Sequence, residues 1–371
     1  MRIGRTIGFL VLALVGAALV WLGAGSFKAA RRERAAEAAW EASFGTFGSL
    51  TARFPARPTN ETARAIEDAA RILGIELRPR GEQADDDPSR FKKTEWDGVR
   101  VPLEKWADAQ AAKPEGLPEP PPAAVAAFLA AHAPALDAIE KTLLAGPAPE
   151  WAADLSKLYA GPVPNLSGQM QLARVLVGRA ESRAAQKDAR AEDSLSAAFT
   201  LTGSLRGRLE IVSQLVSIAA TRLELAAVRR IPVDRARWRE RLETLDPRAG
   251  MLAAWKREAW VPYEASKRLG ERRRREGPLP GRAEALLSSW RDRVASAAYL
   301  DAWRAAIEEA AKSAVEDAET KKLTEIFQAA LVRSGVRAVP AAAMPNLIGS
   351  WHKANVLVLE IRKTDVVLAG H

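Results

Sequence analysis

Apolar side chains recur at every third or fourth position along most of this chain. That spacing places them on one face of an α-helix, whereas a half-buried strand would alternate apolar and polar residues. The run Val356–Arg362 could pass as a strand by itself, but helical patterns flank it and favour a buried helix. The sequence therefore predicts an all-α protein with essentially no sheet.

The cleanest short helix is predicted for residues 59–74. Thr59 or Asn60 can cap its first turn, and Gly74 stands where helices often end in a left-handed residue. Between these ends, four apolar residues lie on one face of the helix: Ala63, Ile66, Ala70 and Leu73. Further helices are predicted at 28–50, 101–112, 123–144, 150–159, 166–187, 191–202, 208–229, 232–247, 249–269, 282–333 and 346–368.

Three consecutive helices between Leu166 and Arg229 are predicted to form the packed centre of the fold. Short turns between them indicate antiparallel neighbours, as in tetratricopeptide repeats. The signature of that repeat is missing, so we predict irregular stacked helical hairpins. The third helix is predicted to bury the stripe Ile211, Leu215, Ile218, Arg222 and Leu225, flanked by Val212 and Val216. The side chains expected to pack against one another are Leu176, Phe199, Leu215 and Ile218.

The N-terminus carries the longest uncharged run, residues 6–27. A helix of that length is about 33 Å long, enough for a hydrocarbon core of about 30 Å. Basic residues flank it on both sides: Arg2 and Arg5 before it, and Lys28, Arg31, Arg32 and Arg34 after it. We predict a retained transmembrane anchor at 1–27. A cleaved signal peptide ending near Ala24–Ser26 and a buried helix of a soluble protein are the alternatives.

These patterns divide the chain into four regions. The anchor at 1–27 precedes a helical region, 28–112, with a polar loop at 78–100; a stiff Pro-rich linker occupies 113–122, and a helical domain spans 123–371. A short N-terminal tail inside and a large domain outside is the usual single-span arrangement, so the domain is expected on the extracytoplasmic, periplasmic side.

The net charge of +9 and the sequence pI of about 9.9 bear on possible partners. Lys/Arg and Asp/Glu are interspersed along most of the chain, which favours a solvated helical surface laced with ion pairs. The sharpest basic cluster is 267–275, which continues into a predicted exposed turn at 271–281. The default interpretation of this cluster is a solvated turn. No nucleic-acid-binding module accompanies it, so on the extracytoplasmic side anionic lipid headgroups or an acidic wall polymer would fit it better than nucleic acid.

Two segments of the sequence support the helical prediction by resemblance to other proteins. The first begins PNLSGQMQLARVL at Pro164 and extends to Ile231, and the second is MPNLIGSWHKA at Met344–Ala354. This pattern resembles an uncharacterised bacterial family of membrane-anchored all-helical proteins. The resemblance implies an all-α fold and contributes no functional residue.

Motifs of catalysis and metal binding are few. Ser350 and Lys353 match the SxxK motif of penicillin-binding enzymes, but the companion SDN and KTG motifs are missing, so we predict no catalytic role for them. Cysteine is absent, and none of His132, His352 and His371 has a ligand partner one turn away. The triplet Asp85–Asp87 lacks the spacing of a calcium loop and is interpreted as solvated.

The adjacent carboxylates and the tryptophans are interpreted as structural rather than catalytic or ligand-binding residues. The acidic pairs lie on predicted helix surfaces beside basic residues, which favours ion pairing over acid–base catalysis: Glu67/Asp68, Glu192/Asp193, Glu308/Glu309 and Glu316/Asp317. Trp255/Trp260 and Trp290/Trp303 have helical spacing and are predicted to be core residues.

The sequence therefore assigns no catalytic, cofactor-binding or metal-binding residue and implies no cofactor. Stacked helices create concave surfaces suited to macromolecular binding, so we expect a membrane-tethered scaffold or adaptor for a protein or peptide. The alternatives are an envelope enzyme that cleaves wall glycan with a carboxylate pair, and a membrane-tethered nucleic-acid binder. A deep cleft holding two close, desolvated carboxylates would favour the enzyme.

Overall fold

The computed structural model describes residues 2–79, 94–113, 116–276, 279–313 and 347–370, together with Val315, Glu325 and Ala329. Within the described helices, only the backbone is described for residues 2–22, 273–274, 276, 279–291 and 347–348. The three predicted features at Asp85–Asp87, Glu316/Asp317 and His371 lie outside the described residues.

The described part of the chain is all-helical, as predicted: it is 78% helix and contains no strand. An isolated antiparallel bridge joins Arg57 and Ala153. A 3₁₀ helix occupies Leu155–Ala160. The α-helices are α1 (Arg2–Phe44), α2 (Phe47–Arg53), α3 (Glu61–Ile72), α4 (Glu95–Ala111), α5 (Ala123–Ala131), α6 (Ala133–Ala145), α7 (Leu166–Ala185), α8 (Ala191–Arg206), α9 (Ile211–Val228), α10 (Arg235–Glu243), α11 (Pro247–Glu276), α12 (Leu279–Lys312) and α13 (Leu347–Ala369).

Helix α3 confirms the predicted capping signals. The Asn60 side chain accepts a hydrogen bond of 2.9 Å from the Ala63 amide, which satisfies one of the free N–H groups of the first turn. Gly74 has φ +78° just beyond the helix, a conformation that a Cβ would strain. The whole predicted stripe is buried: Ala63, Ile66, Ala70 and Leu73.

Helix α4 begins earlier than predicted. The polar loop assigned to 78–100 is wrong for its last residues, because Thr94 and Asp97 form a capping box that starts the helix at Glu95. Trp96 and Val99 are buried by this added turn and a half. Pro102 therefore lies inside the helix rather than in its first turn.

Several other boundaries differ from the prediction, most clearly in three segments. The helix expected over 123–144 is two helices, α5 and α6, bent by 70° at His132. The segment 150–154 is not helical, since Ala153 pairs with the backbone of Arg57. The basic run 271–276 is not an exposed turn but the last turn of α11. Arginine is a good helix former, so the run extends the helix to the glycine and proline beyond it.

The chain folds into two compact units, each built from separate stretches of sequence. The first contains Met1–Arg53 and Lys256–Ser313, and the second contains Phe54–Trp255 and Gly349–His371. The boundary falls inside α11. The Pro-rich stretch 113–122 belongs to the second unit, where the Glu119 amide donates to the Gln110 side chain at 3.1 Å.

The first unit is organised by α1 and α12, which run parallel. Glu33 lies 3.7 Å from Arg293, and further along both helices Ser43 donates to Glu308 at 3.2 Å. Helix α11 runs antiparallel to α1, since Glu37 pairs with Lys267 at 2.9 Å while Trp40 meets Trp260 edge-on at 5.8 Å. Small buried side chains allow close packing of α1 and α12: Ala29, Ala36, Ala297, Ala298, Ala302 and Ala306.

The second unit has α7, α8 and α9 at its centre, but its buried positions differ from the prediction. Leu176 and Ile218 are buried as predicted, whereas Phe199 and Leu215 are only half-buried. Phe199 lies beneath the Arg206 guanidinium, 3.9 Å from the ring centroid, and so stays at the edge of the core. On α9 the predicted stripe is wrong for Arg222, which is exposed, and Val212, predicted to flank the stripe, is exposed too.

Among the described residues, α9 alone is long and apolar enough to cross a membrane as a single helix, and 72% of it is buried within the protein. The bent pair α5 and α6 passes the same test only if it is taken as one segment. The predicted span 6–27 lies within α1, but its side chains through residue 22 are not described, so the anchor stays a prediction.

Candidate binding cleft in the helical core

Buried ion pairs hold the centre of the second unit together. Glu140 of α6 accepts hydrogen bonds from Arg183 at 2.8 Å and from Ser194 at 2.6 Å. Arg179 lies one turn before Arg183 on α7 and contacts the same carboxylate at 3.2 Å. Because a buried charge is tolerated only when it is paired, this cluster specifies how α6, α7 and α8 pack.

A second buried pair joins Glu181 of α7 to Arg230, just beyond α9. Arg230 also donates to Gln110 of α4 at 2.9 Å. Burial raises the pKa of Glu181 to about 7, although the positive charge of Arg230 opposes that rise. Three helices far apart in sequence are therefore connected through one guanidinium.

A third buried carboxylate, Glu224 of α9, accepts from Thr202 at 2.5 Å and pairs with Arg206 at 3.2 Å. Complete burial raises the pKa of Glu224, and Arg206 opposes the effect. The same burial lowers the pKa of the Arg206 guanidinium. Glu181 and Glu224 are thus desolvated carboxylates of the core.

The raised pKa of Glu181 predicts a pH-dependent stability. Between pH 4.5 and about 7 the folded carboxyl keeps a proton that the unfolded chain has released, so the free energy of unfolding falls as pH rises through this range. The loss should reach about 3 kcal/mol, at about 1.4 kcal/mol per pKa unit. Urea unfolding at pH 5 and pH 7.5 measures it.

In the Glu181→Gln variant the decrease between the two pH values should be much smaller, because the titrating group is gone. Glu61→Gln is the matched control, since Glu61 is exposed in the first turn of α3. An equal decrease in the wild type and in Glu181→Gln would contradict the assignment to Glu181.

A cleft of about 520 Å³ opens between α4, α7, α9 and α13. Apolar side chains supply part of its lining: Ala111, Ala112, Met170, Ala219, Leu223 and Ala226. The charged part of the lining contains five cations and two carboxylates: Lys113, Arg174, Arg222, Arg229 and Lys363, with Asp108 and Glu360. The desolvated Glu181 and Glu224 do not line it. The excess of positive charge favours an anionic occupant.

Three of the five cations of the cleft are paired with carboxylates, among them Lys113 with Glu119. Arg229 and Arg174 are held by neighbouring carboxylates, Glu360 and Glu104, each at 2.9 Å. Their Nε atoms are nevertheless buried without a hydrogen-bond partner among the residues that the structure describes. Arg222 and Lys363 are exposed at the cleft and have no ion-pair partner within the described ranges. They are the charges available to a ligand.

A second, more apolar cleft of about 490 Å³ adjoins the first through Arg229. It lies between the end of α9 and the end of α13, and its lining is Val228, Arg229, Ile231, Pro232, Val233, Arg235, Val367 and Leu368. Together the two clefts offer a cationic region beside an apolar one.

Ser350 and Lys353 lie in different environments, and their lack of a catalytic role stays a prediction. Ser350 is buried and its hydroxyl accepts from the Trp255 indole at 3.2 Å, whereas Lys353 is exposed. Of the histidines, His132 lies 3.2 Å from Glu95 and packs on Phe128, and His352 is half-buried. The residues that the structure describes contain no group of three side chains placed to hold a metal ion.

The predicted ion pairing of the adjacent carboxylates is confirmed for Asp68, 3.2 Å from Arg78, and for Glu308, 3.3 Å from Arg304. Glu67 and Glu192 lie less on the surface than predicted, since each accepts from an indole, Trp151 at 2.9 Å and Trp238 at 3.2 Å. The core assignment is confirmed for Trp255, Trp260 and Trp303, all fully buried.

The cleft itself was missed by sequence reasoning. Its residues come from four stretches spread between Asp108 and Lys363, and each looks like an ordinary charged helix face. No family model, no curated protein and no solved structure matches the chain. What the cleft binds is therefore inferred from its own side chains.

Proposed function

We propose that the protein is a membrane-tethered helical adaptor whose cleft binds a short acidic segment of a partner protein. Residues 6–27 would form the retained transmembrane anchor, with the helical part on the extracytoplasmic side. The helices of the second unit would act as irregular stacked hairpins, similar in use to tetratricopeptide hairpins, that present the cleft to the partner.

The observation that carries this proposal is the cleft beside Arg222 and Lys363. Its volume of about 520 Å³ suits a few side chains of a segment rather than a folded domain. The available guanidinium and ammonium groups of Arg222 and Lys363 favour carboxylates. The adjoining apolar cleft would hold an apolar side chain of the same segment.

The alternatives receive less support. Wall-glycan hydrolysis would need two carboxyl groups facing one cleft, about 5–10 Å apart. Of the two carboxylates in the cleft, Glu360 is paired with Arg229, and the desolvated carboxylates Glu181 and Glu224 lie elsewhere. A nucleic-acid binder would need a basic surface that tracks along a backbone, whereas the cleft is a local concavity.

Fluorescence anisotropy with the full chain in detergent tests the cleft. The probe is a fluorescein-labelled decapeptide of alternating Glu and Leu, and a Lys/Leu decapeptide is its counterpart. The Arg222→Gln/Lys363→Gln variant should bind the acidic peptide about tenfold or more weakly, since each charge-assisted contact contributes about 1 kcal/mol or more. The basic peptide should not bind.

Arg64→Gln/Lys141→Gln is the matched control, because it removes the same charge from exposed positions on α3 and α6. Equal weakening of peptide binding in both variants would show that only the net charge matters, and it would contradict specific binding in the cleft. Release of reducing sugar ends from purified wall glycan, with no peptide bound, would support the enzyme instead.

A further inference from the structure

The basic end of α11 lies level with the end of the predicted membrane helix. Helix α11 runs antiparallel to α1, with Lys267 against Glu37. Each residue towards the end of α11 therefore corresponds to one residue back along α1, at about 1.5 Å per step. Continued from that pair, Arg272 is level with about residue 32 of α1 and Arg275 with about residue 29.

Helix α12 gives a consistent register from the other side. It runs parallel to α1, with Arg293 against Glu33, and it begins at Leu279. Its first turns therefore lie beside the part of α1 that precedes Lys28. By this count α11 ends close to the height of Phe27, where the uncharged run of α1 ends, whereas α12 passes that height and begins level with about residue 19 of α1.

Exposed cations surround that height. The face of α1 that carries Ala29, Ala36 and Trp40 is buried, whereas the basic side chains of this part of α1 are exposed. We call these six exposed residues the basic collar: Lys28, Arg31, Arg32, Arg34, Arg272 and Arg275. The nearby acids Glu33 and Glu37 are paired with Arg293 and Lys267, and Glu271 is exposed beside the collar.

We propose that the basic collar binds the headgroups of anionic phospholipids at the membrane surface next to Phe27. This inference rests on the proposed transmembrane anchor, because the anchor sets the collar at headgroup height. Clustered Lys and Arg directly beside a span attract an anionic leaflet. Phe27, 72% exposed, lies at the same level, where an aromatic ring suits the interface.

The collar is contributed by two helices that are more than 200 residues apart in sequence. A basic flank on α1 alone would be the ordinary accompaniment of a membrane span. The second cationic helix end makes the collar a surface of the folded first unit, so its lipid preference should depend on Arg272 and Arg275 as well as on α1. The same folded unit would thereby be oriented towards the bilayer.

Energy transfer in reconstituted vesicles tests the collar with the full chain. The chain has no cysteine, so Ala35→Cys, at an exposed position on α1, provides one labelling site. Vesicles contain phosphatidylcholine with a small share of headgroup-labelled phosphatidylglycerol or headgroup-labelled phosphatidylcholine. We expect severalfold more transfer to the anionic lipid, and less preference in 0.5 M salt, which screens surface charge.

The collar variant is Lys28→Gln/Arg31→Gln/Arg272→Gln/Arg275→Gln. It should lose most of the preference for the anionic lipid and keep only what Arg32 and Arg34 supply, since each cation near an anionic surface contributes roughly fivefold to binding. The matched control, Arg64→Gln/Lys105→Gln/Lys141→Gln/Arg362→Gln, loses the same charge from exposed positions of the second unit and should keep the preference. Circular dichroism of each protein checks that the helices remain.

Extraction at alkaline pH separates the two proposals. A wild type that resists extraction but shows no lipid preference would overturn the collar and leave the anchor standing. A wild type released by alkali would overturn the anchor and the collar with it. Duplex DNA bound tightly by the wild type and lost in the collar variant would assign this surface to nucleic acid and overturn the lipid proposal.

Discussion

Replacing Arg230 by methionine should lower the free energy of unfolding by about 3–5 kcal/mol, the usual cost of removing one partner of a buried ion pair. The Arg230 side chain is almost completely buried, and it holds Glu181 and Gln110 at once. Its loss removes the countercharge of Glu181, whose carboxyl must then stay protonated, and takes one of two donors from the Gln110 side-chain oxygen. Chemical denaturation at pH 7.5 measures the difference.

Two further variants separate the ion pair from general damage. Glu181→Leu/Arg230→Met removes both charges at similar volume and should regain much of the loss, because neither charge is then buried alone. Arg222→Met changes an exposed arginine on α9 and should cost less than about 0.5 kcal/mol. A double variant less stable than Arg230→Met would show that this pair is not the source of the effect.

Truncating Leu176 to alanine should cost about 2–5 kcal/mol, from lost burial and from the cavity left behind. Leu176 is fully buried on α7, at the centre of the second unit. Val212→Ala on α9 is the control: Val212 is 58% exposed, so its truncation should leave the denaturation midpoint almost unchanged. Similar midpoints for both variants would place the centre of this unit elsewhere than α7–α9.

Local signals in the sequence predicted local structure well. The caps of α3 at Asn60 and Gly74 and the burial of tryptophans at helical spacing depend on neighbouring residues, and both were confirmed. The same reasoning missed the start of α4 because Thr94 and Asp97 lie in a strongly polar stretch. It ended α11 too early because a run of charges was interpreted as a turn.

Non-local features could not be predicted from apolar periodicity. On α9 the polar residues Ser213, Gln214, Ser217, Thr221 and Glu224 are buried, because α9 has neighbours on several sides and bonds some of those groups. A periodic apolar stripe is expected on a helix with one solvent-exposed face, and little of the surface of α9 is exposed to solvent. The cleft likewise forms only because four helices distant in sequence pack together, and the spacing of residues along the chain does not predict that packing.

The division of the first unit between two distant stretches has a consequence for biosynthesis. The partners of α1, beginning at Lys256, are separated from Arg53 by about 200 residues. At about 5–20 residues per second, the ribosome needs roughly 10–40 s to make the intervening stretch. Throughout that interval the buried face of α1, with Trp40 at its centre, has no partner from α11 or α12. Helix α1 is thus packed long after it is made, and a chaperone that shields it would reduce its exposure to aggregation.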